Sequence, residues 1–107
     1  MRVFRTTQYL RNAERLLTAK ERLAVEAAII GAPDSWPVIP GTGGARKARA
    51  ARGSRGKSGG VRVIYFYRTH AAEIFFVMIY AKSAQKELTD GQKKEISRIV
   101  AEIARRG

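Results

Sequence analysis

The sequence of 107 residues lacks cysteine altogether and contains a single histidine and a single tryptophan. Without cysteine there is neither a disulfide-stabilised fold nor a thiolate metal site, and this composition suits a reducing cytoplasm. Long apolar runs are also missing, because no stretch approaches the roughly 18 residues of a membrane-spanning helix. Residues 6–15, which follow Arg2 and Arg5, are polar and lack the apolar core of a signal peptide. We therefore expect a cytoplasmic protein without a membrane partner.

Acidic residues are scarce: nine Asp and Glu stand against 21 Lys and Arg, which gives a formal net charge of +12. No acidic residue occurs between Asp34 and Glu73, whereas eight basic residues lie in that window. Such an excess on a small surface favours a polyanionic partner, and nucleic acid is the first candidate. The hydrophobic fraction of 45% is typical of globular proteins, and the length suits one domain over residues 1–107.

Capping signals predict a helix near each end of the chain. Thr6 or Thr7 caps a short helix that runs to about Ala13. Thr89 and Gln92 have the spacing of a reciprocal capping box, which predicts the start of the last helix. Apolar residues at helical spacing give that helix its buried face: Ile96, Ile99, Val100 and Ile103.

A second capping box, formed by Thr18 and Glu21, predicts another helix from about residue 19. Leu23, Ala27 and Ile30 recur at intervals of four and three residues, so we expect them to form its apolar stripe. The glycine at position 31 and the proline at position 33 end the helix. Two amphipathic helices are thus expected in the first third of the chain.

Four extended segments complete the pattern: Arg2–Arg5, Ala45–Ala51, Val61–Tyr67 and Ile74–Ala81. The last two are β-branched and aromatic on both faces, which is typical of central strands. Alternation along the second segment places Lys47 and Arg49 on one face, and Arg46 with Ala48 on the other. The order of elements predicts an α+β fold, with a twisted, mostly antiparallel sheet packed against two N-terminal helices and a C-terminal helix.

Two irregular segments flank the basic strand. Residues 33–40 hold three prolines, and we expect Trp36 to anchor this extended connector. Residues 52–60 are rich in glycine and basic residues, and are predicted to form a hairpin loop.

RNA cleavage needs a base for the 2′-hydroxyl, an acid for the leaving oxygen and cations for the phosphate charge. The only histidine, His70, is expected on the surface in a turn, and most acidic residues are expected on helices beside cations. Lys, Arg or Tyr would therefore carry such chemistry, since a lysine crowded by cations can act as a base. The sequence has no cluster of His, Cys, Asp and Glu with metal-ligand spacing, so we expect neither a metal nor a cofactor.

Three segments carry a family resemblance: Val38–Arg49 (VIPGTGGARKAR), Gly56–Tyr65 (GKSGGVRVIY), and Ile79–Lys82 followed by Leu88. They resemble the HigB branch of the RelE-like toxins, and the order of predicted elements extends the similarity over nearly the whole chain. The resemblance implies a RelE-like fold and a bacterial toxin that cleaves messenger RNA, usually in the decoding site of a translating ribosome. It also implies a cognate antitoxin, which often carries a helix-turn-helix DNA-binding domain.

In such toxins, basic residues from two strands and one residue past the last strand line the cleft; the matching residues here are Lys47, Arg49, Arg62 and Lys82. The resemblance implies that Lys47 assists deprotonation of the 2′-hydroxyl and that Lys82 helps the leaving group. Arg49 and Arg62 would hold the scissile phosphate. Some relatives stack a Tyr or His on the base, and Tyr80 is the nearest substitute in this chain. Other cations are expected to contact the RNA backbone: Arg46, Arg52, Arg55 and Lys57.

Two other interpretations remain open. A non-catalytic RNA-binding or ribosome-binding protein would use the same basic loop as a backbone clamp. A gyrase-directed toxin of the ParE type would share the fold without being a nuclease, although the pair Lys47 and Arg49 together with Arg62 argues against it. Arg62→Ala separates the ribonuclease from the non-catalytic RNA-binding protein, because in a nuclease it should abolish cleavage and lower binding only modestly.

Overall fold

The computed structural model describes residues 1–52 and 60–106, which form three α-helices and a four-stranded sheet. The predicted α+β class is therefore confirmed. The strands are β1 (Arg2–Arg5), β2 (Arg46–Ala50), β3 (Val61–Arg68) and β4 (Glu73–Ala81), and the helices are α1 (Thr7–Leu16), α2 (Ala19–Gly31) and α3 (Asp90–Arg105). No helix in these two ranges is both long enough and apolar enough to span a membrane.

The sheet has the strand order β1-β4-β3-β2, in which β1 runs parallel to β4 and the other two pairings are antiparallel. The expected mostly antiparallel sheet is thus confirmed. The central position of β3 and β4 follows from their composition, since Val63 and Ile64 point to opposite faces and both are fully buried. Each face of the sheet must therefore be covered by helices.

Helices α1 and α2 cover one face of the sheet. Tyr9 and Ala13 of α1 and Ile29 of α2 join Val63 and Phe76 in one buried cluster. The rings of Tyr9 and Phe76 stack with their centroids 5.3 Å apart.

Helix α3 packs on the other face, where Ile96 and Val100 join Ile64 and Met78 in a second buried cluster. The predicted capping box is present: the Gln92 N–H donates to Thr89 Oγ1 at 3.0 Å, and the Thr89 N–H donates to Gln92 Oε1 at 2.9 Å. Both the start and the buried face of this helix therefore agree with the sequence-based prediction.

The N-terminal helices begin where their caps predict. The Tyr9 N–H donates to Thr6 Oγ1 at 3.0 Å, so Thr6 is the cap of α1, and Thr18 with Glu21 forms the capping box of α2. Helix α1 continues to Leu16, three residues beyond the predicted end.

The predicted apolar stripe of α2 is correct only at Ile30, which is half-buried and packs against the first core cluster. Leu23 is 71% exposed and Ala27 is also exposed, whereas Ile29 and the charged residue Glu26 face the sheet at 3% exposure each. Glu26 can be buried because its carboxylate accepts hydrogen bonds from Arg5, Arg22 and Tyr9. Hydrophobic periodicity could not predict that Glu26 lies on the buried face of α2, because two of its hydrogen-bond partners, Arg5 and Tyr9, come from other elements.

Candidate active site

The register between β2 and β3 brings together cations that are distant in the sequence. Lys47 stands opposite Ile64 and Arg49 opposite Arg62, so these side chains share one face of the sheet. The same face bears Ile64, which packs against α3 in the second core cluster. The predicted placement of Lys47 and Arg49 on a common face is therefore confirmed.

Lys82 reaches the same end of the sheet directly after β4. Its N–H donates to the carbonyl oxygen of Gly60 at 3.1 Å, just before β3 begins. Gly60 has φ +56°, and a Cβ atom at this position would lie 2.0 Å from the carbonyl oxygen of Ala50. This close backbone approach fixes Lys82 beside the ends of β2 and β3.

An open cleft of about 370 Å³ lies at this end of the sheet. Its walls are formed by Trp36, Pro37, Lys47, Arg49, Arg62, Lys82, Lys86 and Glu87. The four cations that the resemblance connects with cleavage thus line one cleft, with a fifth cation and a single carboxylate. Such an excess of positive charge in a concave site attracts and orients phosphodiesters.

The two arginines of the cleft differ in exposure. Arg62 is 7% exposed, and its Nη1 donates to the carbonyl oxygen of Val61 at 3.3 Å. Arg49 is exposed, and its Cζ lies 5.9 Å from the centre of the Trp36 ring. The Arg62 guanidinium is therefore held in the floor of the cleft, whereas the Arg49 guanidinium lies at its wall. Both groups are planar and can donate two parallel hydrogen bonds to phosphate oxygens.

The connector before β2 forms the apolar wall of the cleft. Trp36 packs against the first core cluster, which confirms its predicted role as an anchor. The Arg46 Nη1 donates to the Trp36 carbonyl oxygen at 2.6 Å, and the Lys47 N–H donates to that of Pro37 at 3.2 Å. These bonds fasten the connector along β2, so Trp36 has a defined position beside the cations.

Tyr80 stands opposite Arg62 in the sheet but is not among the residues lining the cleft. Its side chain belongs to the second core cluster, the residue is 6% exposed, and its hydroxyl has no hydrogen-bond partner within the described residues. Burial raises the pKa of Tyr80 above 10.0, the positive charge of Arg62 opposes that rise, and the negative charge of Glu87 adds to it. The ring is therefore inaccessible for stacking on a base, and the phenol stays protonated at neutral pH.

Two of the other cations predicted to bind RNA, Arg46 and Arg52, are not among the described residues that line the cleft. Arg46 lies on the opposite face of β2, where its guanidinium donates to the carbonyl oxygens of Asp34 and Trp36. The Nε of Arg52 donates to the carbonyl oxygen of Leu16 at 3.0 Å. Arg55 and Lys57 lie outside the described residues. Arg46 thus stabilises the connector, and its predicted contact with RNA is not supported by its position.

His70 is exposed in the short 3-10 turn between β3 and β4, as expected. Because Arg62 lies near the start of β3 and His70 follows its end, the strand separates them by about 20 Å. The histidine is therefore remote from the cleft.

Sequence reasoning missed four lining residues: Trp36, Pro37, Lys86 and Glu87. Trp36 was expected only to anchor the connector, although a lone tryptophan between prolines was itself a signal. The two charged residues lie in the segment between β4 and α3, where no local pattern distinguishes a cleft residue from an ordinary surface charge. Glu87 matters most among them, because it is the one carboxylate on the wall.

Comparison of the sequence with models of protein families gives a match over nearly the whole chain. A family model described as the RelE toxin of the RelE/RelB toxin-antitoxin system matches residues 1–106. The match includes every residue that lines the cleft. It also gives the protein a partner, since a toxin of such a system has a cognate antitoxin. The chain therefore belongs to the RelE family of toxins of toxin–antitoxin systems.

Proposed function

We propose that this toxin is a ribosome-dependent endoribonuclease of the HigB type that cleaves messenger RNA and so inhibits translation. The observation that carries the proposal is the convergence of Lys47, Arg49, Arg62 and Lys82 on one cleft. These residues come from β2, β3 and the segment after β4, so they meet only in the folded chain.

The reaction that this cleft suits is attack of a ribose 2′-hydroxyl on the adjacent phosphorus. The 2′-oxygen forms a bond to phosphorus as the bond to the 5′-oxygen breaks, which leaves a 2′,3′-cyclic phosphate and a 5′-hydroxyl end. Negative charge accumulates on the non-bridging oxygens during this step, and Arg49 with Arg62 would neutralise it. No external co-reactant is needed, because the attacking and leaving groups both belong to the RNA.

Two proton transfers complete the reaction. Lys47, in its neutral form, accepts the proton of the 2′-hydroxyl, and Lys82 donates one to the departing 5′-oxygen. Glu87 is the second candidate for the base, since it shares the cleft with both lysines and its carboxylate is a proton acceptor. The pH dependence of Lys47→Met and Glu87→Gln distinguishes these assignments, because loss of the base removes the limb of the rate profile that reports it.

Three further cations are proposed to bind the ribosome. Arg52, Arg55 and Lys57 would contact the ribosomal RNA backbone. Because the proposed target is the ribosome, the proposed site of action is the cytoplasm. A variant with alanine at these three positions should bind ribosomes more weakly and with a shallower salt dependence. Unchanged binding across a salt titration would remove these three residues from the proposal. The antitoxin is proposed to carry a helix-turn-helix DNA-binding domain, as in HigB systems.

Primer extension on a messenger RNA in a bacterial translation mixture tests the central proposal. We expect new 3′ ends when the toxin is added to translating ribosomes, and none when ribosomes are omitted. Arg62→Ala should lower the cleavage rate by about a hundredfold or more, since it removes a contact to developing charge. Lys94→Ala, which removes an exposed cation of α3, serves as the matched control and should cleave like the wild type.

Two results would contradict the proposal. Ribosome binding without new ends would favour a non-catalytic RNA-binding protein. Inhibition of gyrase supercoiling without RNA cleavage would favour a ParE-like toxin.

A further inference from the structure

The cleft has an aromatic wall as well as a cationic floor. Trp36 is the only tryptophan of the chain, and its half-buried side chain lines the cleft beside Arg49 and Arg62. Its buried part packs against the first core cluster, so the remaining part faces the cleft.

Hydrogen bonds to the backbone of the connector hold Trp36 in place. Arg46 donates to its carbonyl oxygen at 2.6 Å, and the hydroxyl of Tyr65 donates to the carbonyl oxygen of Pro33 at 2.7 Å. The next residue, Pro37, accepts from the Lys47 N–H. A ring fixed this way loses little freedom when a ligand binds, which favours affinity.

The position of Arg49 makes this ring relevant to RNA. Its Cζ lies over the indole ring, 5.9 Å from the ring centre, so a phosphate-binding group stands at the aromatic face. A base takes its place on the ring when this guanidinium turns toward the phosphate. A nucleotide presents the same two groups within one residue, a phosphate and a planar base. Aromatic side chains beside backbone-binding cations are a general device for holding unpaired bases.

We propose that Trp36 stacks on an unpaired base of RNA bound in the cleft, next to the phosphate that Arg49 contacts. This inference rests on the proposed RNA substrate and names the group that positions it. It assigns to the connector the stacking role that was expected of Tyr80, whose ring is buried in the second core cluster. Because every base has a π face, this contact orients the nucleotide without selecting its identity.

The lone tryptophan provides its own reporter. A 2′-O-methylated single-stranded RNA, which cannot be cleaved by 2′-oxygen attack, is titrated into the wild-type protein at low salt. We expect quenching of the Trp36 fluorescence as a base stacks on the indole. With the same RNA prepared without any bases, the quenching should disappear. The phosphates are intact in both RNAs, so the loss is specific to the bases.

Affinity, followed by fluorescence anisotropy of labelled RNA, gives the second measurement. Trp36→Leu should weaken binding of the intact RNA about tenfold and leave binding of the abasic RNA unchanged. Trp36→Phe should restore most of the affinity, because it keeps an aromatic face. Phe4→Leu, a change to an exposed ring on β1 that does not line the cleft, is the matched control.

The possible failures can be told apart. RNA that binds, and is released by Arg49→Ala, without quenching the indole would overturn the stacking proposal and leave the nuclease proposal intact. Equal losses for intact and abasic RNA in Trp36→Leu would also overturn it, since they indicate a structural role. RNA that does not bind even at low salt would overturn the stacking proposal alone, because the proposed nuclease acts on translating ribosomes and is tested by primer extension.

Discussion

Arg49 on β2 and Arg62 on β3 stand directly opposite each other in the antiparallel register, on the face that bears the cleft. Two like charges at such a position oppose pairing of the strands. The fold therefore tolerates a repulsion at the place where a phosphate would neutralise it. This relationship would link the stability of the sheet to binding of the proposed RNA ligand, whose phosphates are negatively charged.

Replacing Arg49 by Met removes the repulsion and keeps an apolar chain against Trp36. We expect the free energy of unfolding to rise by about 0.5 kcal/mol, more at low salt than at high salt, while RNA cleavage is lost. Urea denaturation at two ionic strengths checks the stability. Lys94→Met, at an exposed position of α3, is the control and should leave the salt dependence unchanged. A lower stability of Arg49→Met at low salt would contradict the prediction.

The Tyr80 hydroxyl is buried without a hydrogen-bond partner among the described residues. Since an unsatisfied buried hydroxyl is costly, Tyr80→Phe should raise the free energy of unfolding by about 1 kcal/mol. Tyr65→Phe is the matched control, because that hydroxyl donates to the Pro33 carbonyl oxygen and its loss should destabilise by about 1 kcal/mol. Equal effects of the two changes would show that the Tyr80 hydroxyl has a partner.

Glu26 holds the N-terminal segments together. Its carboxylate accepts from Arg5 Nη2 at 2.6 Å, from the Tyr9 hydroxyl at 2.8 Å and from Arg22 Nη1 at 3.1 Å. Glu26→Gln leaves the two arginines without their counter-charge, and we expect a loss of about 2 kcal/mol. Glu102→Gln breaks an exposed pair with Arg105 and should cost less than about 0.5 kcal/mol. Denaturant titration of both variants measures the difference, and similar losses would refute this role for Glu26.

The same carboxylate gives a pH dependence. Burial alone raises the pKa of Glu26, but the hydrogen bonds from Arg5 and Tyr9 and the two arginine charges outweigh it, so the pKa lies below its ordinary value of 4.5. A pKa that is lower in the folded state contributes stability above pH 4.5, and this contribution is lost as the pH falls through the folded value. The stability difference between wild type and Glu26→Gln should therefore be constant near neutral pH and shrink below about pH 4.5. A difference that does not change between pH 7 and pH 3 would contradict this assignment.

Gly60 positions both the start of β3 and the backbone of Lys82. Gly60→Ala should destabilise the fold by more than about 2 kcal/mol, because the new methyl group collides with the carbonyl oxygen of Ala50. Gly41→Ala is the control with a similar backbone: its φ is +80°, but the added Cβ meets open space, so only the conformational cost of about 1 kcal/mol is expected. Thermal unfolding of the two variants gives the comparison, and equal shifts would rule out the steric contribution.

Much of this fold could be predicted from the sequence, because the signals are local. The capping boxes at Thr18 and Thr89 start their helices through contacts only three residues apart. The period-two alternation of β2 places Lys47 and Arg49 on one face whatever the strand pairs with.

Only the tertiary structure decided the contacts between distant segments. The register that sets Arg49 against Arg62, the burial of Glu26 between two arginines, and the place of Trp36 and Glu87 on the cleft wall all join residues from separate elements. The physical cause of these contacts is packing. Helix α3 buries Tyr80 with the rest of the second core cluster. The connector is hydrogen-bonded to β2 and places the Trp36 ring beside the cations. Four cations of the candidate site were therefore predicted from the sequence, whereas its other lining residues and the arrangement that brings them all together were not.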